Sequence, residues 1–158
     1  METTAPEILR DLDGQVDIFV SAFGSGGTVT GNGRVLKAAN PDCKVVGVEP
    51  ASSPLISKGV AGPHKIQGIG ANFVPEILDL SIMDEIITVT DEDAYGACRL
   101  AAKTEGLLVG VSSGAALWAA RELSLRPENQ GKRIVVILPD TGERYLSAGL
   151  FDQSGDGL

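Results

Sequence analysis

The sequence predicts an α/β protein with a mostly parallel sheet flanked by helices, and three observations carry that prediction. Four short β-branched runs, at residues 16–22, 44–49, 85–90 and 133–138, alternate with stretches of helical spacing. The runs VDIFVSA, KVVGVE and RIVVIL are apolar nearly throughout, the pattern of strands covered on both faces. Glycine supplies 20 of the 158 residues while aromatics make up 4%. That mix suits tight backbone turns around a ligand better than a stacking platform for bases.

Taken in order, the first strand is Val16–Ala22. A glycine-rich turn follows it, and a helix runs from about Thr28 to Ala39, stopped by Asn40-Pro41. The second strand is Lys44–Glu49. The stretch from Ala51 to Leu80 has no long helix and is rich in Gly, Pro and Ser. A loop of that length inside a compact domain is functional or only locally structured. After the third strand, Glu85–Thr90, the segment Thr90-Asp91-Glu92-Asp93 opens a helix with Ala94, Ala97, Cys98 and Ala101 on one face. Gly106 stands at its stop position. Ala116, Ala119, Ala120 and Leu123 repeat the pattern in a helix opening at Ser112–Ser113, whose hydroxyls suit an N-cap. Arg133–Leu138 is the last strand. Residues 1–150 therefore form one α/β domain, and residues 151–158 (FDQSGDGL) read as a frayed tail.

Charge and cysteine usage exclude whole classes of partner. Thirteen Lys and Arg stand against 21 Asp and Glu, a net charge of −8 with one histidine, which argues against phosphate-backbone binding. Nucleic acid is excluded as a main partner. Cys43 and Cys98 lie far apart with no metal-ligand spacing and read as free, buried thiols in a reducing compartment. No metal site is expected. No apolar run approaches the ~18 residues needed to span a bilayer, and the start METTAPEILRDLDGQ has neither a basic cluster nor an apolar block. The expectation is a soluble, cytoplasmic protein with no membrane partner.

The strongest local signal is Phe23-Gly24-Ser25-Gly26-Gly27-Thr28, set between a buried strand and a helix. Glycines there let the backbone approach a ligand with no Cβ in the way, and the helix start turns unpaired N–H groups toward the same point. A phosphate group satisfies both demands. A dinucleotide fingerprint would need a third glycine where Val29 stands, although Glu49 sits at the end of the second strand where a ribose-binding acid belongs. A P-loop would need a lysine where Asn32 follows Gly31, so that reading fails. Gly110-Val111-Ser112-Ser113-Gly114 is a second glycine-serine turn opening a helix. His64-Lys65 precedes a third glycine-bearing loop, with His64 read as structural and Lys65 as a solvated charge. Asp140-Thr141-Gly142-Glu143-Arg144-Tyr145 follows the last strand, at the edge where α/β ligands bind, and Glu143 with Arg144 suits a weak surface ion pair.

Together and in this order these segments resemble cysteine synthase (O-acetylserine sulfhydrylase) of the fold-type II pyridoxal-phosphate enzymes. The matching stretches are TTAPEI (3–8), GSGGTVTG (24–31), VGVEP (46–50), HKIQGIGA (64–71), GVSSGAA (110–116) and ILPDTGERYLS (137–147). The resemblance implies the larger domain of that fold without its N-terminal strands. It implies that Gly24, Ser25, Gly26, Gly27 and Thr28 cradle the phosphate of pyridoxal 5′-phosphate, and that Ser112 meets the pyridine nitrogen. Gly68, Ile69, Gly70 and Ala71 would line the substrate side. The implied reaction is β-replacement, O-acetyl-L-serine and sulfide giving L-cysteine and acetate, in a homodimer. Members of the family are about twice this long. Their first half carries the Schiff-base lysine and an asparagine-rich loop that grips the substrate carboxylate, and no lysine of this chain stands in the lysine's motif. The chain resembles the C-terminal half, with no catalytic lysine and no activity alone. Two further readings are a nicotinamide-dinucleotide-binding domain using Gly24–Gly27 and Glu49, and a non-catalytic module for a phospho-ligand or partner.

Overall fold

A computed structural model describes residues 3–148, 150 and 151 of the chain. Its strands are β1 (Ile18–Ala22), β2 (Lys44–Pro50), β3 (Glu85–Val89) and β4 (Ile134–Val136), and its helices are α1 (Thr4–Asp11), α2 (Gly27–Ala39), α3 (Leu55–Lys58), α4 (Asp91–Glu105) and α5 (Val111–Ser124). The sheet order is β3-β2-β1-β4 and every pairing is parallel. Val20 at the centre of β1 faces Val46 of β2 on one side and Val136 of β4 on the other. All four strands run in one direction, so their carboxyl ends share one edge.

Side chains alternate across the sheet and build two cores, one on each face. Ile18, Val20, Val46 and Val48 pack with Ala94, Cys98, Ala115, Ala119 and Leu123 of α4 and α5. Phe19 and Val45 pack with Val29 and Leu36 of α2 and with half-buried Ile8, Leu9 and Leu12 of α1. The sheet is thus sandwiched between α4/α5 and α1/α2. Helix α1 is an element the sequence reading did not place. It has eight residues with Ala5 alone buried, and its signal is the recurrence of Ala5, Ile8, Leu9 and Leu12 at i, i+3, i+4 and i+7.

Each expected strand forms, with its ends moved by no more than two residues. The expectation of cover on both faces holds for β1 and β2, but β3 and β4 are half-buried along most of their length. They are the outer strands, and a strand with one neighbour leaves its outer flank open. Residues 51–80 contain only α3 and the 3₁₀ turn that begins at Leu80, as the composition suggested. Helix α4 begins and ends as its sequence demands. The Thr90 hydroxyl accepts the Asp93 N–H at 3.1 Å, and Gly106 closes the helix in the left-handed region at φ +68°. Helix α5 does not follow the expected N-cap. It opens at Val111 behind Gly110, and neither Ser112 nor Ser113 caps it.

Both cysteines are free and buried, as expected. Leu150 is buried and half-buried Phe151 packs on the α4/α5 core, while the remainder of the expected tail, residues 152–158, lies outside the described residues. Replacing Thr90 by Ala removes the side-chain acceptor of the Asp93 N–H at the start of α4. We expect a loss of about 1 kcal/mol, read as a lower urea midpoint, with Thr90→Ser restoring most of it.

Candidate functional site

The glycine-rich turn leaves the carboxyl end of β1 and enters α2. Gly26 holds φ +85°, a conformation that favours glycine, and α2 then starts at Gly27 with no side-chain cap and no acidic residue in its first turn. The first helical bond runs from the Thr30 N–H to the Gly26 carbonyl at 3.0 Å. The N–H groups of Gly27, Thr28 and Val29 are therefore the unspent donors of a helix start. Ser25 and Thr28 are exposed beside them. The turn is packed from below: a Cβ on Gly26 would lie 2.7 Å from Leu78, and the Thr30 hydroxyl accepts the Asp79 N–H at 3.0 Å.

A Cβ on Gly24 would collide with the carbonyl oxygen of Gly68, so the first loop and the loop at 68–71 touch through bare backbone. Gly24, Gly70 and Ala71 also line one small cavity, with Glu49 at its wall. The 68–71 loop is anchored on both sides. His64, half-buried, places Nε2 3.2 Å from the Gly70 carbonyl oxygen, and the Lys65 N–H donates to the Asp91 carboxylate at 3.0 Å. Of the expected substrate-lining residues, Ile69 is buried, Gly70 and Ala71 are half-buried, and Gly68 is exposed.

Glu49 does not serve the role a dinucleotide would need. It is 1% exposed, and its two carboxylate oxygens accept the N–H groups of Ile56 and Ser57, each at 3.0 Å. The acid is spent on the start of α3, because a buried carboxylate needs donors and those two amides are unpaired at a helix end. The nicotinamide reading loses its ribose-binding acid.

Ser112 and Ser113 have separate fates. Ser113, fully buried, donates its hydroxyl to Asp140 Oδ1 at 3.1 Å. Ser112, 4% exposed, makes no such bond, and it lines a cleft of about 330 Å³ with Gln67, Gly68, Asp140, Arg144 and Tyr145. Gly68 thus joins the phosphate-type loop on one side and the Ser112 cleft on the other. Tyr145 donates to Asp140 Oδ2 at 2.9 Å. Asp140 and Tyr145 are the ends of the segment noted after the last strand, and the sequence assigned neither a role. Their signal was their place after the last strand, at the ligand edge of a parallel sheet. The expected ion pair between Glu143 and Arg144 is not among the salt bridges of the described residues; both side chains are exposed. Neither cavity is lined by a lysine. A larger groove of about 530 Å³ lies away from this edge, between Leu100 of α4 and Trp118 of α5.

Comparison with known proteins places this geometry in a family. A family model described as "Pyridoxal-phosphate dependent enzyme" matches residues 1–140. The chain belongs to that family. It is 55% identical over 150 residues to cysteine synthase B of Campylobacter jejuni, covering 95% of this chain and 49% of that protein. The solved O-acetyl serine sulfhydrylase isoform 3 of Entamoeba histolytica superposes with a TM-score of 0.94 at 47% identity, covering 98% of this chain and 46% of that one. An O-acetylserine-dependent cystathionine β-synthase from Helicobacter pylori superposes at 0.87 with 42% identity, over 95% of this chain and 48% of that one. The chain spans about half the length of these relatives.

Two expectations follow from the geometry. Inorganic phosphate or sulfate should bind at residues 24–28, seen as amide chemical-shift changes centred on Gly27 and Thr28. Gly24→Val, which forces the loop off Gly68, should abolish them; unchanged binding in that variant would remove the role of the close approach. Stability should also fall on the alkaline side. Burial, then the Asp140 carboxylate, pushes the Tyr145 phenol up from its ordinary 10.0 to about 12, and burial pushes both thiols up from 9.0 to about 11. Each group stays protonated in the folded chain where the unfolded chain has ionised, so its contribution is complete below its ordinary value and is lost as pH rises through its folded one. Unfolding free energy measured against pH should drop from about pH 9 to 12, and Tyr145→Phe should flatten the upper part of that drop.

Proposed function

We propose that this chain is the phosphate- and pyridine-binding half of a pyridoxal-phosphate-dependent cysteine synthase. One observation carries the reading. Helix α4 opens with a threonine cap and three acids, whereas α2 and α5 open without a side-chain cap and without an acid in the first turn, on loops that meet at Gly68. Two unspent helix starts beside one cleft suit a ligand with an anionic end and a polar ring. The bare backbone at Gly24 and the Ser112 hydroxyl, which has no hydrogen-bond partner among the described residues, fit pyridoxal 5′-phosphate at its two ends.

In this reading the amides of Gly24, Ser25, Gly26, Gly27 and Thr28, with the two hydroxyls, hold the phosphate. Ser112 Oγ donates a hydrogen bond to the ring nitrogen. A hydroxyl gives up its proton far less readily than a carboxylic acid, so it holds that nitrogen unprotonated, which suits β-replacement. Gly68, Ile69, Gly70 and Ala71 wall the substrate side, kept in place by His64 and by Asp91 through the Lys65 amide. The cofactor, when bound, supplies the electron sink for chemistry at the substrate α-carbon. The whole enzyme would convert O-acetyl-L-serine and sulfide to L-cysteine and acetate. A homodimer is carried over from the family, and a cytoplasmic setting is supported by two free, buried thiols.

The missing element is an amine. Covalent catalysis needs a lysine to hold and release the cofactor aldehyde. Lys37 pairs with Asp84 at 2.8 Å, Lys132 reaches Asn129, and Lys44, Lys58, Lys65 and Lys103 are exposed, none of them lining the cavities beside the glycine loop. The chain alone is then a binding module for a phospho-ligand.

Purified chain incubated with pyridoxal 5′-phosphate should show saturable, phosphate-competed binding. Borohydride treatment should leave no adduct at any one lysine, and O-acetylserine with sulfide should give no cysteine. Mixing with a separately expressed lysine-bearing half from a relative should restore turnover. A site-specific reducible lysine and turnover by the chain alone would overturn the proposal.

A further inference from the structure

We infer that Asp140 is a positioning residue, which commits the Ser113 hydroxyl and thereby leaves Ser112 as the hydroxyl presented to the cofactor ring. The inference rests on the cofactor reading above and deepens it at one atom.

The sequence Ser112-Ser113 offers two adjacent hydroxyls at the start of one helix. Both are buried, at 4% and 0% exposure, and in an isolated helix either could turn back to cap its own first turn. Neither does so. Asp140 accounts for the difference. Its Oδ1 accepts Ser113 Oγ at 3.1 Å, and its Oδ2 accepts the Tyr145 hydroxyl at 2.9 Å. Its backbone carbonyl accepts the Gly110 N–H at 3.3 Å, and its carboxylate lies where a Cβ on Gly110 would stand. One residue therefore holds positions 110 and 113, the two that bracket Ser112. From the far side, the Cys98 thiol donates to the Gly110 carbonyl at 3.1 Å, so the turn is gripped on both flanks.

The charge on Asp140 is as informative as its position. A carboxylate facing a ring nitrogen would pair with its protonated form and stabilise it. This one accepts a hydroxyl on each oxygen. Burial and the carboxylate push the Tyr145 phenol up to about 12, so Tyr145 remains a donor throughout the neutral range. Each oxygen is thereby turned toward a hydroxyl of the protein, and Ser112 supplies a neutral hydroxyl on the cleft wall. The arrangement separates two tasks that look interchangeable in the sequence: Ser113 fastens the turn and Ser112 reads the ligand.

The test compares pyridoxal 5′-phosphate with its 1-deaza analogue, in which carbon replaces the ring nitrogen, by calorimetric titration of the full chain. The two ligands share every contact except the one at Ser112 Oγ. Wild-type chain should prefer the nitrogen-bearing ligand by about fivefold, the worth of one hydrogen bond. In Asp140→Ala, which removes both acceptor oxygens, that ratio should fall to about one while the affinity for inorganic phosphate stays unchanged. A purely structural role would lower both affinities together or neither. Should Asp140→Ala fail to fold, Ser113→Ala cuts the same link with a smaller change and carries the same expectation. A ratio retained in whichever variant folds overturns the role of Asp140. Wild-type chain that binds phosphate but discriminates between neither ligand instead overturns the assignment of Ser112, and wild-type chain that binds no ligand overturns the cofactor reading on which both rest.

Discussion

Parallel strand pairing is the constraint from which the rest of the molecule follows. Because β1, β2, β3 and β4 all run the same way, each chain crossing must return along a face of the sheet, and each strand must end at the same edge. The returns supply α2 on one face and α4 with α5 on the other. The ends supply the turn at 24–28 after β1, the long segment carrying 64–71 after β2, and the 139–145 segment after β4. The start of α5 reaches the same edge, where the isolated bridge between Val109 and Thr141 ties it to the segment after β4. A site composed of four distant stretches of sequence needs no further organising principle.

What lies at that edge differs in kind from what holds the sheet. The cores are built from Val, Ile, Leu and Ala in alternation, and they would tolerate exchange among residues of similar size. The edge uses groups that cannot be exchanged so freely. A carbonyl at Gly68 packs where Gly24 has no side chain, a carboxylate at Glu49 is closed over two amides of α3, and a second carboxylate at Asp140 is closed over two hydroxyls. Both acids are satisfied internally. Among the polar groups left open at this edge are the first amides of α2 and the hydroxyls of Ser25, Thr28 and Ser112, with Gln67 and Arg144 lining the Ser112 cleft.

Much of this was legible in the residues themselves, for identifiable reasons. The strands declared themselves because two-sided burial demands apolar runs, and α4 because its cap, its period and its terminal glycine agree. The glycine loop was visible because three glycines between a strand and a helix have little purely structural use. Other features depend on distance in space. Glu49 stands at the correct point of a strand for a ribose, and nothing local reveals that Ile56 and Ser57 turn back to claim it. The division of labour between Ser112 and Ser113 is set by a residue 27 positions further on, and so it has no local signature. Helix α1 did carry a local signal, Ala5, Ile8, Leu9 and Leu12 at helical spacing, but the stretch is short and only Ala5 is buried within it.

The contact between Gly24 and Gly68 has a mechanical consequence. Two loops from different strands are pressed backbone to backbone with no side chain between them to act as a cushion. Neither can shift toward the other, since main-chain atoms have no rotamers through which to yield. The loop that would grasp an anion and the loop that would face an amino acid therefore form one stiff jaw. The spacing between the two loops is thus fixed by main-chain contact alone.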